Sequence, residues 1–400
     1  AEPVRRHRPG QAAGSVLRGF RLGRLAGVEV RIDWSLLIVF LLVLFSLGAG
    51  VFHSWHPDWG PALRWGVALG AAVLFFASVL AHELSHALVA RTQGVDVRRI
   101  TLFIFGGMAH MEQEASRPRA ELLIALAGPV ASLLIGGAAL FAGAALARVP
   151  QGMVDDPEQA ARAMGPLASL LLWLGPINIL LALFNMVPGF PLDGGRVLRA
   201  LLWWGSGNLQ RATSWATAAG KAFGWLLIAV GVAMALGVRV PIFGTGLVSG
   251  LWLVLIGWFL SSAAASSYHQ FMVNSALEGI PVAELMRSRV DTVAPEATVE
   301  QLVDRIMDSE QRCYPVVGAD HSLSGLACVA DIRRVPREQW SRVQVGEIMT
   351  RRDELQTLEP EQEATAALKQ LSRREVDQLP VVEDGRLLGL VRRQDIMKWI

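Results

Sequence analysis

The chain has 400 residues, of which 52% are hydrophobic, and its formal net charge at pH 7 is only +2. A charge this small, with no dominant basic run, argues against a nucleic-acid partner. The apolar residues are concentrated before about residue 268, whereas the remainder has the composition of an ordinary soluble domain. The sequence therefore predicts a membrane part and a soluble part in one chain.

The N-terminal residues 1–33 are rich in arginine and contain no apolar core of signal-peptide length. We interpret them as a basic cytoplasmic leader. The two cysteines, Cys313 and Cys328, both lie in the soluble part. Two cysteines in a chain of this length indicate no disulfide framework, and we expect a reducing compartment for the soluble part.

Between residues 34 and 268 the sequence contains apolar segments that are long enough to cross the hydrocarbon core of a bilayer. They cover residues 34–52, 64–91, 119–147, 167–187, 210–237 and 246–267. Arginines cluster in the loops after the second and fourth segments, whereas the loop after the first has none and the loop after the third is acidic. The positive-inside rule therefore predicts a multi-pass protein of the cell membrane whose two termini and soluble part are cytoplasmic.

The second apolar segment contains the sequence HELSH at residues 82–86. Residues four apart on an α-helix lie one turn above each other, so His82 and His86 present two imidazoles to one point. This spacing is typical of zinc sites in which Glu83 would be the general base toward a zinc-bound water. An ionisable group within a membrane helix costs about 2.5–3.5 kcal/mol on insertion scales, which favours a functional role.

Two stretches of irregular sequence interrupt the helical pattern. Residues 95–111 contain a β-favouring run that ends at Gly106 and Gly107, and they predict a short hairpin or strand. Residues 185–195 contain two prolines and three glycines that break the fourth helix near its cytoplasmic end. Because irregular backbone at membrane depth is tolerated only inside protein or along a polar cavity, we expect this break to face the metal.

A catalytic zinc ion usually has three protein ligands and a fourth position for water. Asp193 is the predicted third ligand, because the second and fourth segments run in the same direction and bring it to the depth of His82 and His86. The alternatives are His110, Glu112, Glu114 and Glu121. The first three suit an interfacial loop and the last suits the start of a helix.

The HELSH helix, together with the sequence NMVPGFPLDG at residues 185–194, resembles the site-2 protease family of intramembrane zinc metalloproteases. The resemblance covers residues of about 30–268. It implies that one catalytic zinc ion is bound by His82, His86 and Asp193 and that Glu83 is the general base. It also implies a membrane-protein substrate that is cut in or near a transmembrane segment, within the lipid bilayer.

The same resemblance implies a substrate-binding role for three further residues. Asn185 would lie near the scissile carbonyl, and the element that contains Gly106 and Gly107 would pair with an unwound substrate. Such pairing is physically sensible, because an exposed strand edge can add an extended peptide by backbone hydrogen bonds.

From residue 280 onward the sequence repeats itself. Residues 314–317 match residues 379–382 at an offset of 380 − 315 = 65, and residues 282–286 match residues 345–349. Each copy resembles a cystathionine-β-synthase-type (CBS) domain, two of which form one adenine-nucleotide-binding unit. We place a linker at residues 269–279, the first copy at 280–337 and the second at 338–400.

In that family a Ser or Thr three residues before an Asp helps to hold the phosphate and ribose of the ligand. Asp331 and Asp395 occupy the aspartate positions, but Cys328 and Arg392 stand where the hydroxyl is expected. The sequence therefore leaves two alternatives open for this module: binding of ATP, ADP or AMP, and docking or homodimerisation.

These patterns together predict a polytopic α-helical membrane protein with six transmembrane helices and a short membrane-associated β element, followed by a soluble α/β tandem CBS module. The function implied is an intramembrane zinc endopeptidase, with activity modulated by the CBS pair. A membrane transporter or channel gated by the CBS module is the alternative. It predicts internal repeats in the membrane part, and we find none in the sequence.

Overall fold

The computed structural model describes residues 19–104, 106–111, 115–147, 157–241, 244–309, 311–374 and 376–399. These residues fall into two compact units, one that ends at Tyr268 and one that begins at His269. The boundary lies where the sequence predicts the change from the membrane part to the soluble part.

The described part of the first unit contains the six predicted membrane helices, each long and apolar enough to cross a bilayer. Its helices are Trp34–Phe45 (α1), Phe52–Trp55 (α2), Pro61–Thr92 (α3), Pro118–Leu146 (α4), Pro157–Ala163 (α5), Pro166–Asn185 (α6), Asp193–Ser206 (α7), Leu209–Ala235 (α8) and Leu247–Leu277 (α9). A π-helical segment at Ser46–Val51 joins α1 to α2, so that Trp34–Trp55 forms one span. Neither α5 nor α7 is long enough to span.

Helix starts follow from local chemistry. Pro61, Pro118 and Pro166 each occupy the first turn of a helix, where the missing proline N–H has no intrahelical partner to lose. Asp33 caps α1 by accepting a hydrogen bond from the Ser35 N–H at 2.9 Å. The predicted segments agree with the helix bounds to within a few residues, except that the last helix extends about ten residues beyond its predicted end.

A four-stranded sheet accompanies the helices, with the order β1, β2, β3, β4. Its strands are Gly19–Leu25 (β1), Val28–Asp33 (β2), Val97–Phe103 (β3) and Gly106–Met111 (β4). The predicted hairpin at residues 95–111 is confirmed as the antiparallel pair of β3 and β4. The leader interpretation missed the other two strands, because the basic composition of residues 19–33 concealed the alternation of buried Val28 and Val30 with polar residues.

Arg91, in the last turn of α3, holds the sheet against the helix that contains HELSH. Its guanidinium donates to the carbonyl oxygens of Ala26 at 2.7 Å, Gly27 at 3.1 Å and Val97 at 2.9 Å. Ala26 and Gly27 form the turn between β1 and β2, and Val97 is the first residue of β3. One side chain thus fixes both the turn and the start of β3 relative to α3.

The predicted break in the fourth helix is confirmed. Helix α6 ends at Asn185, and a new helix, α7, begins at Asp193. The loop between them is bound to α8 by a hydrogen bond from the Phe190 N–H to the carbonyl of Ala216 at 3.2 Å. The break therefore delivers Asp193 as the first residue of a short helix.

The second unit contains two similar α/β halves. Its elements after α9 are Val282–Leu285 (α10), Val299–Met307 (α11), Cys313–Val317 (β5), Leu323–Cys328 (β6), Val329–Ile332 (α12), Val345–Ile348 (α13), Thr350–Arg351 (β7), Ala364–Arg374 (α14), Gln378–Glu383 (β8), Arg386–Arg392 (β9) and Arg393–Trp399 (α15). Residues 269–277 belong to α9, so most of the predicted linker is helical. The reason is that Val273 and Leu277 are buried in the core of this unit.

The two sequence copies exchange their first elements. Val282 belongs to the first copy by sequence but packs in one core with Leu371 and Val381 of the second. Val345 of the second copy packs in the core that contains Leu302 of the first. The predicted division between residues 337 and 338 therefore describes the repeat in the sequence, whereas the cores cut across it.

Cys313 and Cys328 form a disulfide, with their Cα atoms 4.0 Å apart. They are directly opposite each other on the antiparallel strands β5 and β6. The sequence predicts no disulfide framework and did not reveal this single bond, because the hairpin register that brings the two residues together could not be deduced from their spacing in the sequence.

Because Val282 and Val345 each pack in the core of the other sequence copy, a substitution in one copy should destabilise the core of the other. Val282→Ala should speed amide hydrogen exchange in β8 more than in β5, because full burial of a valine side chain is worth about 1.5–3 kcal/mol to the core it occupies. The measurement is hydrogen exchange with mass spectrometry on the full chain in detergent micelles.

Val345→Ala is the matched control, since Val345 and Val282 are both fully buried and occupy equivalent positions. It should speed exchange in β5 more than in β8. If each substitution instead acted on its own copy, the exchanged cores would be contradicted.

Candidate metal centre

Three predicted ligands lie together in the first unit. The Nε2 atoms of His82 and His86, both on α3, lie 3.1 and 3.2 Å from Oδ2 of Asp193. The two Nε2 atoms are 3.2 Å apart. Both histidines are buried and Asp193 is half-buried. The structure therefore brings the three atoms to the corners of a nearly equilateral triangle.

Each imidazole is oriented through its other nitrogen. Nδ1 of His86 lies 2.6 Å from the carbonyl oxygen of Ile124, and Nδ1 of His82 lies 2.9 Å from Oγ of Ser132. Because a carbonyl only accepts, a neutral His86 carries its proton on Nδ1 and exposes a lone pair at Nε2. Partners of this kind fix the ring and tautomer of metal-binding histidines.

The lone pair of His86 Nε2 faces the carboxylate oxygen of Asp193. Two acceptors at 3.2 Å repel each other unless a proton or a cation lies between them. When His86 is neutral, the chemistry of the donor set thus suits a bound cation.

The donor atoms fit zinc. Ligands of a tetrahedral zinc ion with bonds of about 2.0–2.1 Å are separated by about 3.3 Å. The three observed separations are 3.1–3.2 Å. Two imidazole nitrogens and one carboxylate oxygen are a common catalytic zinc set and leave one coordination position for water.

Gly128, on α4, supplies the space in front of the metal-facing nitrogens. A Cβ atom at this position would overlap Nε2 of both His82 and His86. The room that an ion needs therefore depends on the absence of a side chain on a neighbouring helix.

One stripe of α4 supports both histidines. Ile124, Gly128 and Ser132 are spaced by four residues, which places them on the same face of the helix. Sequence analysis missed all three. The available signal was two small residues four apart in an apolar helix, a pattern that equally indicates close helix packing.

Glu83 lies beside the edge of the sheet. The backbone of Gly107 is within hydrogen-bonding reach of its carboxyl group. A Cβ at Gly107 would overlap Cγ and Cδ of Glu83, so only glycine allows this approach. Gly106 precedes it on the edge strand β4, opposite Phe103 of β3. One of the three predicted substrate-binding residues, Gly107, is thus next to the predicted base, and Gly106 precedes it on the same strand.

The other candidates are placed as follows. Asn185 is half-buried at the last position of α6. Glu121 is buried in an ion cluster with Arg196 and Arg199 and is not part of the three-ligand group, so the structure does not favour it as a metal ligand. The side chains of His110, Glu112 and Glu114 lie outside the described part of the chain.

The two aspartates of the CBS module have partners within the protein. Oδ2 of Asp331 accepts a hydrogen bond from the Cys328 N–H at 2.9 Å, and burial raises the pKa of this carboxyl. Asp395 forms ion pairs with Arg392 at 2.9 Å and Arg287 at 3.0 Å. Burial alone would raise the pKa of Asp395, but hydrogen bonds and charge from Arg392 and Arg287 lower it.

The position of Gly128 predicts a loss of metal binding without any change of ligand. Gly128→Ala should weaken zinc binding by more than about 100-fold, since even partners behind the ligands contribute 10- to 100-fold. The measurement is competition with a chromophoric chelator on purified protein in detergent micelles.

Gly137→Ala on the same helix is the control, because a Cβ there has no neighbour within 4 Å. It should bind zinc like the wild type, with the same helical content and thermal unfolding. Stoichiometric zinc of normal affinity in the Gly128→Ala protein would contradict the role of this space.

Two family models match the chain. The model described as Peptidase family M50 matches residues 70–150 and 138–227. The CBS domain model matches residues 282–338 and 345–400. Both predicted parts of the chain are thus matched by a family.

Similar proteins cover almost the whole chain. Rip3 of Mycobacterium tuberculosis is 34% identical over 95% of this chain and 92% of its own, and sll0528 of Synechocystis is 33% identical over 94% of each. Both have zinc metalloprotease in their names. A solved structure, the site-2 protease from Methanocaldococcus jannaschii, is 26% identical and covers 62% of this chain and 94% of its own, with a TM-score of 0.40. The chain therefore belongs to peptidase family M50, the site-2 proteases, and carries tandem CBS domains.

Proposed function

We propose that the chain is an intramembrane zinc endopeptidase that cuts membrane-protein substrates in or near a transmembrane segment. His82, His86 and Asp193 would hold the zinc ion, and Glu83 would be the general base. The observation that carries the proposal is the cluster of three donor atoms, 3.1–3.2 Å apart. The carboxyl group of Glu83, on the same helix as the two histidines, lies beside the edge of the sheet.

When bound, zinc supplies Lewis-acid activation of water and of the scissile carbonyl. Glu83 takes the proton of the attacking water and later gives it to the leaving amine. The Ile124 carbonyl accepts from Nδ1 of a neutral His86 and so keeps the Nε2 lone pair of that residue on the metal side. The Ser132 hydroxyl does the same for His82 when it accepts from Nδ1.

The substrate would bind as an extended strand along β4. Among the described strands this one lies at the edge of the sheet, where its outer backbone groups could pair with a peptide. Gly107 on that edge lies against Glu83, which brings a paired peptide to the general base. Asn185 ends α6, eight residues before Asp193, and we assign it to the polar contacts of the scissile carbonyl.

The position of two proposed metal ligands in an apolar helix supports hydrolysis at membrane depth. His82 and His86 belong to a helix that is long and apolar enough to span. The distribution of arginines supports cytoplasmic termini and access of water from that side. Relatives that have zinc metalloprotease in their names support the function of a protease over that of a transporter or channel.

We also propose that an adenine nucleotide acts on the CBS module. Two arginines, Arg287 and Arg392, surround the single carboxylate of Asp395, which gives a local excess of positive charge. An excess of this sign suits a phosphate group. Homodimerisation through the same module is the other proposal for this part.

Replacement of the base should separate metal binding from catalysis. Glu83→Gln should hold zinc like the wild type but lower the cleavage rate by at least about 10²-fold, the smaller effect expected for general acid–base catalysis. The measurement compares the membrane proteomes of cells that express either form. A membrane protein should accumulate uncut with the variant and appear as fragments with the wild type.

Zinc content by mass spectrometry is the control, and it should be equal in the two proteins. The same fragments at the same rate with Glu83→Gln would remove this residue from the mechanism.

Nucleotide binding is tested by isothermal titration of the full chain in micelles with ATP, ADP and AMP. We expect binding that weakens as salt increases, because the contact is between phosphate and arginine. Adenosine, which has no phosphate, is the matched ligand control, and Arg392→Gln should weaken binding of the nucleotides. An absence of heat with all three nucleotides would contradict nucleotide binding. Homodimerisation would then be the remaining proposal for the CBS module.

A further inference from the structure

We propose that Glu121 is a positioning residue for the third metal ligand. It holds α7 through Arg196 and Arg199, and thereby sets the place of Asp193 and the affinity of the site for zinc. This inference rests on the zinc site of the proposed function, but it concerns residues that do not contact the metal.

The observation is a buried ion cluster between α4 and α7. Oε1 of Glu121 accepts hydrogen bonds from Nη2 of Arg199 at 2.6 Å, from Nε of Arg199 at 3.2 Å and from Nε of Arg196 at 3.2 Å. The side chain of Glu121 is 1% exposed, and that of Arg199 is 8% exposed.

The two arginines connect this cluster to the metal centre. They follow Asp193 by 196 − 193 = 3 and 199 − 193 = 6 residues on the same helix. Asp193 is the first residue of that helix and comes directly after a loop, so its carboxylate moves wherever the helix moves. Two guanidinium groups from successive turns that converge on one oxygen restrict both sliding and rotation of α7.

Helix α4 then positions all three ligands. It orients His86 through the carbonyl of Ile124 and His82 through the hydroxyl of Ser132. Glu121 is three residues before Ile124 and belongs to the same stripe of the helix. The relative positions of the imidazoles and the carboxylate are therefore set by a single element.

Stability alone is a weak reason for this cluster. A buried group of one carboxylate and two guanidiniums carries a desolvation cost that often cancels its attraction, and apolar replacements of such groups are often neutral or stabilising. A metal site is sensitive to displacements that a core tolerates, since partners behind the ligands contribute 10- to 100-fold to metal affinity.

The experiment measures zinc affinity per folded molecule, on the full chain in detergent micelles, by chelator competition. We compare Glu121→Gln, which keeps the shape but removes the charge, with the triple variant Glu121→Leu, Arg196→Met, Arg199→Met, which has no unpaired charge. Both should bind zinc about 10- to 100-fold more weakly than the wild type. Asp193→Ala, which removes the ligand itself, sets the lower limit.

Glu29→Gln is the matched control. Glu29 on β2 also contacts several arginines, with Nε of Arg31 at 2.6 Å and Nε of Arg21 at 3.2 Å, but it is remote in sequence from α4 and α7. It should leave zinc affinity unchanged. Substitution of cobalt(II) adds a second readout. Displacement of Asp193 changes the shape of the visible absorption spectrum of the bound ion, whereas a loss of folded protein lowers only its intensity.

The outcomes are distinguishable. A wild type that binds no zinc overturns the proposed function and this inference together. If the wild type binds zinc and the triple variant folds with the same affinity and cobalt spectrum, the cluster is only structural and this inference alone is overturned. The triple variant decides the question even if Glu121→Gln does not fold.

Discussion

The candidate metal centre depends on a close contact between two acceptors, which a bound cation relieves when His86 is neutral. The carbonyl of Ile124 fixes the proton of His86 on Nδ1, so Nε2 presents a lone pair to the Asp193 carboxylate at 3.2 Å. In a buried setting such a contact is costly, because little water is present to screen it. Three separate helical segments are nevertheless held in this arrangement, which makes sense for a site organised around an ion.

Helix α4 carries no metal ligand, yet the geometry of the site is built on it. Its stripe of Glu121, Ile124, Gly128 and Ser132 has spacings of three, four and four residues, which follow one face of an α-helix. Each member meets a different part of the centre: the α7 arginines, one imidazole, the space before both Nε2 atoms, and the other imidazole. Because all these contacts come from one helix, a small shift of α4 would move the two imidazoles and the carboxylate together and preserve their relative positions.

The helices and two of the candidate ligands could be predicted because their signals are local. An apolar run of 20 residues reveals a span, and an i, i+4 histidine pair reveals a shared helix face. Asp193 required a further step, the comparison of segment directions, and the structure places it with His82 and His86. Chemistry-bearing side chains at characteristic spacing are thus readable from one sequence.

The remaining features have no local signal. Gly128 acts through an absent side chain, and the pairing of Cys313 with Cys328 depends on a strand register. The exchange of Val282 and Val345 between cores could not be predicted either, because two similar copies offer either partner the same apolar surface. Residues 19–33 were concealed for another reason, since arginines on the exposed side of a short strand resemble a charged tail.

The position of Glu83 relates the general base to the conformation of a substrate. A helical peptide has already paired its backbone groups, so it offers nothing to the edge of β4, whereas an extended peptide offers a free N–H and C=O at every second residue. In hydrocarbon an unpaired backbone group costs several kcal/mol, which makes an opened helix unstable until it meets such an edge. Gly107 lies on this edge against Glu83, so in the proposed mechanism an unwound segment would be stabilised beside the group that activates the attacking water. Selection of substrates would therefore depend on how easily a membrane segment unwinds, and glycine, which weakens a helix by about 1 kcal/mol relative to alanine, would favour it.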